Sequence, residues 1–164
     1  MKLYLVRHAS AEDIGGYGDD SLRPLTEIGR EKMKKIAAAL YEMGVEPDLI
    51  VSSPYLRASQ TAAILARELK YAGEPAHNDF LVPTGEPDDM IGEINKKYPV
   101  DELMLVGHEP NLSALAGFLL AGNADIAISI KKGGVCCLSV DDLRYDRKAV
   151  LEWLITPKIA SRLS

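Results

Sequence analysis

The chain begins with the stretch Lys2-Leu3-Tyr4-Leu5-Val6-Arg7-His8-Ala9, in which a short apolar run stops abruptly at a charged pair. A run with so few polar residues is typical of a strand that is buried on both faces of a parallel sheet. Two further runs end in the same way: residues 49–51 are followed by Ser52-Ser53-Pro54, and residues 103–106 are followed by Gly107-His108. The sequence therefore predicts three buried strands, each of which ends at polar residues.

Helical patterns separate these strands. Apolar residues recur at i, i+3, i+4 and i+7, the spacing of one face of an α-helix. Four helices are predicted: from Thr26 to Gly44, from Ser53 as N-cap with Pro54 at the first helical position, from Pro87 to Tyr98, and after Pro110 as far as Gly122. Because strands and helices alternate, the predicted fold class is α/β, a three-layer sandwich with a mainly parallel central sheet and helices on both faces.

The last third of the chain has a different pattern. Short β-type runs at residues 126–131, 135–140 and 149–155 are separated by turn residues such as Gly133-Gly134, which predicts strands joined by tight turns and an antiparallel edge to the sheet. Residues 80–82 form one more candidate strand. Cys136 and Cys137 are adjacent within the run 135–140, so they should point to opposite faces as buried thiols.

Length and charge limit the classes of protein to consider. The 164 residues fit one domain, 1–164, and the formal net charge of −5 argues against a duplex nucleic-acid partner, which usually binds a basic protein. No apolar run approaches the roughly 18 residues of a membrane span, and the apolar run before Arg7 is too short for the core of a signal peptide. A cytoplasmic protein that binds neither nucleic acid nor membrane is expected.

Basic and imidazole side chains follow all three central strands. Arg7 and His8 end the first strand, Arg57 lies in the first turn of the helix after the second, and His108 ends the third. Because the carboxyl ends of parallel strands meet at one edge of a sheet, these four side chains should converge there. One guanidinium group can donate two parallel hydrogen bonds to two phosphate oxygens, and helix N-termini add backbone N–H donors. The sequence therefore predicts a phosphate site.

The same residues carry a family resemblance. Four blocks occur in order: Leu5-Val6-Arg7-His8-Ala9, Arg23-Pro24-Leu25-Thr26-Glu27-Ile28-Gly29, Ser52 to Ala62, and Val106-Gly107-His108-Glu109-Pro110-Asn111. Together they resemble the histidine phosphatase superfamily, whose fold is that of the phosphoglycerate mutases. The short chain and the stretch from Asp20 to Thr26 are most similar to its SixA-type phosphohistidine phosphatase branch. Ala9 stands where the family usually has glycine.

The resemblance implies catalysis without a metal or another cofactor. His8 would be the nucleophile that takes the phosphoryl group, and Arg7, Arg57 and His108 would hold its oxygens. His8 must be neutral to attack, so we expect the neighbouring guanidinium groups to lower its pKa, whereas His108 is expected to work protonated. Arg23 and the backbone of Glu109 are further candidates for binding the phosphate.

The general acid is open at this stage. Family members that cleave phosphate esters use an acidic side chain from the segment before the Gly107-His108 block to protonate the leaving oxygen. Glu86, Asp88 and Asp89 lie in that segment but also fit a helix N-terminus, and Asp20 is an alternative from the loop after the first strand.

Three functions fit this pattern. The first is a phosphatase that removes phosphate from histidine on a protein, such as a phosphorelay domain or a carrier. The second is a phosphatase of small phosphate monoesters, and the third is a module that senses phosphate without catalysis. The pair Lys131-Lys132 is interpreted as a solvated turn, with a basic lip for an acidic protein substrate as the alternative.

Overall fold

A computed structural model describes residues 1–123, 126–141 and 149–162. Six strands form one sheet in the order β3-β2-β4-β1-β5-β6. Their bounds are Lys2–Arg7 (β1), Leu49–Ser52 (β2), Ala76–His77 (β3), Glu102–Gly107 (β4), Val135–Ser139 (β5) and Val150–Ile155 (β6). Strands β1 to β4 are mutually parallel, β5 runs antiparallel to β1, and β6 runs antiparallel to β5. The predicted mainly parallel sheet is therefore confirmed, with β5 as its antiparallel member.

Helices cover both faces of this sheet. They are Glu27–Glu42 (α1), Leu56–Glu68 (α2), Pro87–Lys97 (α3), Asn111–Ala121 (α4) and Pro157–Ala160 (α5). Apolar residues of α1 and α2 pack in one buried cluster, and those of α3 and α4 pack in another. The three-layer α/β sandwich predicted from the sequence is confirmed.

Alternation along the strands assigns each side chain to one of the two apolar clusters. In β1, Tyr4 and Val6 join the cluster under α1 and α2, whereas Leu3 and Leu5 join the cluster under α3 and α4. Cys136 and Cys137 divide in the same way, and both are buried free thiols, as expected. Because β1 and β4 are apolar on both faces, their polar side chains are confined to the ends of the strands.

The register of the sheet aligns the strand ends that matter for function. Arg7 at the end of β1 pairs with Gly107 at the end of β4, and Ser52 at the end of β2 pairs with Val106. Val135, the first residue of β5, pairs with Val6, so the turn before β5 reaches the same edge. The residues that follow β1, β2 and β4 therefore emerge side by side.

The N-terminus of α1 is tied to the segment that follows His8. The Thr26 hydroxyl accepts a hydrogen bond from the Gly29 amide at 2.9 Å, as an N-cap does, and the Thr26 amide donates to the Ser10 carbonyl at 3.0 Å. A Cβ atom at Gly29 would overlap that carbonyl oxygen. Glycine at this position therefore allows α1 to approach the chain immediately after the first strand.

Three local predictions are wrong. Helix α2 starts at Leu56 with Tyr55 as N-cap rather than at Ser53-Pro54, because the Ser53 hydroxyl accepts from the Tyr55 amide in a separate turn. Residues 79–81 form a 3₁₀ turn instead of a strand, and the strand lies earlier, at Ala76–His77. Residues 126–131 form no strand. In the part of the chain that the structure describes, no helix is long and apolar enough to cross a membrane.

Candidate active site

His8 lies directly beyond β1 and is 7% exposed. Its Nδ1 is 2.7 Å from the carbonyl oxygen of Ala9, which can only accept, so Nδ1 carries the proton. The other ring nitrogen, Nε2, lies 3.3 Å from Nε of Arg57, an atom that can only donate. The neutral ring is thus held with the lone pair of Nε2 directed toward Arg57. This is the tautomer that a nucleophilic imidazole requires.

The surroundings of His8 keep its ring neutral. Burial is the largest cause, and the charges of Arg57, Arg7 and Lys132 act in the same direction, so the pKa of His8 falls to about 4 although the Ala9 carbonyl opposes the shift. The sequence predicted a lowered pKa from the two guanidinium groups alone. The structure adds that removing the ring from water has the larger effect.

Arg57 is held in the first turn of α2 with its guanidinium group buried. Besides the contact with His8, its Nη1 donates to the backbone carbonyl of Asp20 at 2.7 Å and its Nη2 donates to the Asp20 carboxylate at 2.9 Å. The guanidinium carbon also lies 5.1 Å from the centre of the Tyr55 ring. These contacts fix the plane of the group beside the imidazole of His8.

His108 faces His8 from the end of β4. The two ring centres are 5.0 Å apart, and Nε2 of His108 lies 2.9 Å from the Ser53 hydroxyl. Burial, followed by the charges of His8 and Arg57, lowers the pKa of His108 to about 3. Without a bound anion both histidines therefore have lowered pKa values, because both rings are buried beside the same guanidinium group. The expectation that His108 works protonated concerns the ring beside a phosphate dianion and stays a prediction.

Arg7 is held by the turn that precedes β5. Its Nη1 donates to the Ile130 carbonyl at 3.0 Å, and its amide donates to the Gly134 carbonyl at 3.1 Å. The Gly133 amide in turn lies within hydrogen-bonding distance of the carbonyl oxygens of Arg7 and His8. Gly133 has φ of 77°, a conformation that glycine adopts without strain. The turn at residues 130–134 therefore supports the backbone of the site, a role that its sequence did not predict.

Two buried nitrogen atoms of the site have no hydrogen-bond partner within residues 1–123, 126–141 and 149–162. They are Nε of Arg7 and Nδ1 of His108. Buried polar atoms in proteins are almost always paired, and a guanidinium Nε–H can only donate. The Nε–H of Arg7 is therefore suited to bind an oxygen of an anion, and Nδ1 of His108 becomes a donor to such an oxygen only when it carries a proton.

The Asp20 carboxylate bridges Arg57 of α2 and Arg23 of the loop before α1. It accepts from Arg57 and, at 2.7 Å, from Nε of Arg23. Burial would raise the pKa of Asp20, but the hydrogen bonds and charges of Arg57 and Arg23 outweigh this effect and lower it. In this arrangement Asp20 is an ionised acceptor, which does not suit the role of general acid considered from the sequence. Arg23 is linked to Arg57 through this carboxylate.

The other predicted acids lie at the N-terminus of α3. Glu86 is the N-cap residue of α3, and Asp88 and Asp89 lie in its first turn; all three are exposed. Their segment is fastened near His108, because Nδ2 of Asn111 donates to the carbonyls of Val82 and Gly85 at 3.0 and 2.6 Å. In the described parts of the chain none of the three makes a hydrogen bond or ion pair with His8, Arg57 or His108.

The side chain of Glu109 is a feature that sequence reasoning missed, since only its backbone was considered. It is half-buried directly after His108, and it accepts a hydrogen bond from the Ser113 hydroxyl at Oε2. Its Oε1 is buried and has no partner among the described residues. Burial raises the pKa of Glu109, although Ser113 and the charge of Arg7 oppose it. No pattern in the sequence distinguishes this burial from that of an exposed acid.

Thr61 and Ser53 join the strand ends to α2. The Thr61 hydroxyl accepts from the Ala9 amide at 3.2 Å and donates to the Arg57 carbonyl at 2.7 Å. Thr61 is four residues after Arg57, so the helical spacing itself could have placed the two on one face. These hydroxyl groups connect the backbone after His8 to Arg57 and the His108 ring to the turn before α2. Among the described residues, no group of three or more His, Cys, Asp or Glu could hold a metal ion.

Comparisons with known proteins show which family the chain resembles. A family model described as the histidine phosphatase superfamily (branch 1) matches residues 3–79. An uncharacterised protein from Picosynechococcus sp. is 34% identical over 137 residues, which are 82% of each chain. The mitochondrial serine/threonine-protein phosphatase Pgam5 of Drosophila ananassae is 34% identical over 85 residues, which are 52% of this chain but only 29% of that protein.

Solved structures show the same fold over nearly the whole chain. The protein histidine phosphatase SixA complexed with tungstate has a TM-score of 0.83 at 22% identity and covers 96% of this chain and 98% of its own. The alpha-ribazole phosphatase from Shigella flexneri has a TM-score of 0.73 at 20% identity, over 96% of this chain and 97% of its own. The chain therefore belongs to the histidine phosphatase superfamily, with the phosphoglycerate mutase-like fold of the SixA type.

Proposed function

We propose that the protein is a metal-independent phosphatase that removes phosphate from phosphohistidine on a protein and forms a phosphohistidine intermediate at His8. The observation that carries this proposal is one neutral imidazole whose unprotonated Nε2 lies against the buried guanidinium group of Arg57. The fold, which is also that of the protein histidine phosphatase SixA, supports it.

The reaction has two displacement steps at phosphorus. In the first, the lone pair on Nε2 of His8 forms a bond to phosphorus while the bond from phosphorus to the substrate imidazole breaks. A phosphoimidazole that is protonated on its other nitrogen leaves as neutral imidazole, so no further proton is needed. In the second step, water attacks the phosphoenzyme, the electron pair returns to Nε2, and one water proton is lost to solvent.

The positive groups around His8 stabilise the transferred phosphoryl group. Arg57 has a donor beside the ring, and the charge of Arg7 is near enough to lower the pKa of His8. The negative charge of a bound phosphate would raise the pKa of His108 from its low value and favour its protonated form. These charges offset those of the phosphate oxygens, which is the task that a divalent cation performs in other phosphatases. A cofactor is not part of the proposal.

A phosphatase of small phosphate monoesters is the second candidate. An alkoxide leaves less readily than imidazole, so this reaction needs a proton donor. One observation favours it: burial gives Glu109, next to His108, a raised pKa, as a donor needs. Glu86, Asp88 and Asp89 are the other candidates for this donor. The shared fold with an alpha-ribazole phosphatase is consistent with it.

A substrate panel separates these functions. We expect a histidine-phosphorylated protein and phosphoimidazole to be dephosphorylated, with a ³²P-labelled phosphoenzyme that is stable to alkali and labile to acid. Replacement of any one of Glu86, Asp88 or Glu109 by its amide should change this turnover less than about threefold. Faster turnover of ribazole, sugar or nucleotide phosphates, with loss on one of these replacements, would favour the ester phosphatase. If His8→Ala released phosphate as fast as the wild type, catalysis at His8 would be ruled out.

A further inference from the structure

A groove of about 520 Å³ lies beside the active site and is lined by four lysines. We call it the lysine groove. Its walls come from α1, the turn before β5, and α5; the lining residues are Lys32, Lys35, Lys131, Thr156, Pro157, Lys158 and Ser161. All four lysines are exposed, and none of them forms an ion pair with another residue in the described parts of the chain. The groove therefore concentrates positive charge on a protein whose net charge is −5.

The groove and the active site share one turn of backbone. On one side, the Gly133 amide points to the carbonyl oxygens of Arg7 and His8, at 3.0 and 3.1 Å. On the other side, a Cβ atom at Gly133 would lie 3.1 Å from Ile36 of α1 and 3.6 Å from Pro157, which lines the groove. Lys132, between the groove residue Lys131 and Gly133, is near enough to contribute to the lowered pKa of His8. A molecule whose phosphate reaches His8 would thus have its neighbouring surface over the groove.

We propose that the lysine groove is a docking site for an acidic segment of the phosphorylated protein substrate. This proposal rests on the proposed function, since it names the surface that a phosphohistidine protein would present beside its phosphate. Charge complementarity determines the chemistry of the occupant: four ammonium groups spread over three elements match several carboxylates on one polypeptide surface.

An acidic polypeptide fits the groove better than an anionic membrane does. The lysine groove is concave. The protein carries a net negative charge, so the rest of its surface would be repelled by a negatively charged lipid bilayer. A lysine side chain is flexible and ends in a compact ammonium group, which does not need the fixed geometry of a guanidinium group. The four side chains can therefore reach carboxylates at different positions. Such contacts attract a partner over a distance and weaken as salt is added.

The test uses two synthetic peptides of equal length, each with one phosphohistidine, flanked in one by glutamates and in the other by glutamines. The wild type should show a kcat/KM about tenfold higher for the glutamate peptide at low ionic strength, and this ratio should fall toward one in 0.5 M NaCl. In the groove variant Lys35→Glu/Lys158→Glu the ratio should be lost. Lys131 and Lys132 are left intact because their turn supports the backbone of His8.

The matched control is Lys34→Glu/Lys96→Glu, which makes the same change in net charge on residues outside the groove. It should keep the preference for the glutamate peptide. Thermal unfolding of both variants checks that each is folded. An equal ratio in the two variants, or no preference in the wild type, would overturn the docking site while leaving the proposed phosphatase function intact.

A binding arm separates failure of the docking site from failure of the proposed function. Fluorescent hexaglutamate, which carries no phosphate, should bind the wild type and the control about tenfold more tightly than the groove variant in fluorescence anisotropy. If this result holds while no phosphohistidine substrate is turned over, the proposed function is wrong and an acidic ligand of the groove remains. If phosphatidylglycerol vesicles bind through the groove and hexaglutamate does not, the groove is a lipid site and the proposal is wrong.

Discussion

The active site and the lysine groove are both positively charged and share a turn, but they differ in the burial and the contacts of their side chains. In the site, Arg57 and His108 are 3% and 2% exposed, and their positions are fixed by hydrogen bonds to neighbouring elements. In the groove, four lysines are exposed and have no ion-pair partner among the described residues. The site therefore has charges in fixed geometry and low dielectric, whereas the groove has mobile charges in water.

This difference indicates what each region can do. A fixed, desolvated guanidinium group interacts strongly with one anion in one orientation, which suits a transition state. A mobile, solvated ammonium group interacts weakly with many anions, which suits the first encounter with a partner. Changes in the site should therefore affect the chemical step, and changes in the groove should affect association.

The largest effect is expected from His8→Asn. Asparagine keeps a polar side chain of similar size but has no nucleophilic nitrogen, so turnover of phosphoimidazole should fall by at least about 10³-fold. The ³²P-labelled intermediate should disappear as well. Measurement of both at equal enzyme concentration checks this, and a labelled intermediate in the variant would place the phosphoryl group on another residue.

Arg57→Lys tests the importance of fixed geometry in the site. A lysine keeps the charge but cannot contact His8 and Asp20 together, so kcat/KM should fall by about 10²-fold. The exchange Lys35→Arg in the groove is the matched control and should change kcat/KM for phosphoimidazole less than about twofold. Comparable losses in the two variants would contradict the distinction between fixed and mobile charges.

Burial of the histidines predicts loss of stability in acid. The pKa of His8 is about 4 in the folded protein, whereas an unfolded chain has the ordinary value near 6.5, so between these pH values the unfolded state binds a proton that the folded state rejects. The free energy of unfolding should therefore decrease as the pH falls from 6.5 toward 4, by about 3 kcal/mol from His8 alone.

Urea unfolding at a series of pH values measures this slope. The variant His8→Gln/His108→Gln should lose less stability over that range than the wild type does. His77→Gln, which replaces the exposed third histidine and leaves both buried imidazoles in place, is the control for the substitution itself. Equal slopes in all three proteins would show that the acid sensitivity does not come from the buried imidazoles.

The smallest effect is expected from Asp20→Asn. The Asp20 carboxylate shares Arg57 and Arg23 with any anion that binds there, so its removal should lower the inhibition constant of vanadate by about threefold. Asp19→Asn is the control, because Asp19 accepts from Ser21 and touches neither arginine. Weaker inhibition in Asp20→Asn would show that the carboxylate acts mainly to hold Arg57 in place.

Most of the fold was predictable because local patterns carry it. The apolar runs of β1, β2 and β4 and the helical spacing of α1, α3 and α4 are properties of neighbouring residues. The errors occurred where tertiary contacts override local preference. Ser53, followed by Pro54, matched the pattern of an N-cap. Its hydroxyl instead accepts a hydrogen bond from the Tyr55 amide and contacts His108, and α2 begins at Leu56.

The sequence by itself determined the alternation of β1, β2 and β4 with helices and the residues that converge at one edge of the sheet. The reason is that the side-chain types at the strand ends are local facts and parallel strands align their carboxyl ends. Tertiary structure alone decided the proton position on His8, the raised pKa of Glu109 and the grouping of Lys32 with Lys158. Those properties depend on burial and on partners distant along the chain, and no local pattern encodes either.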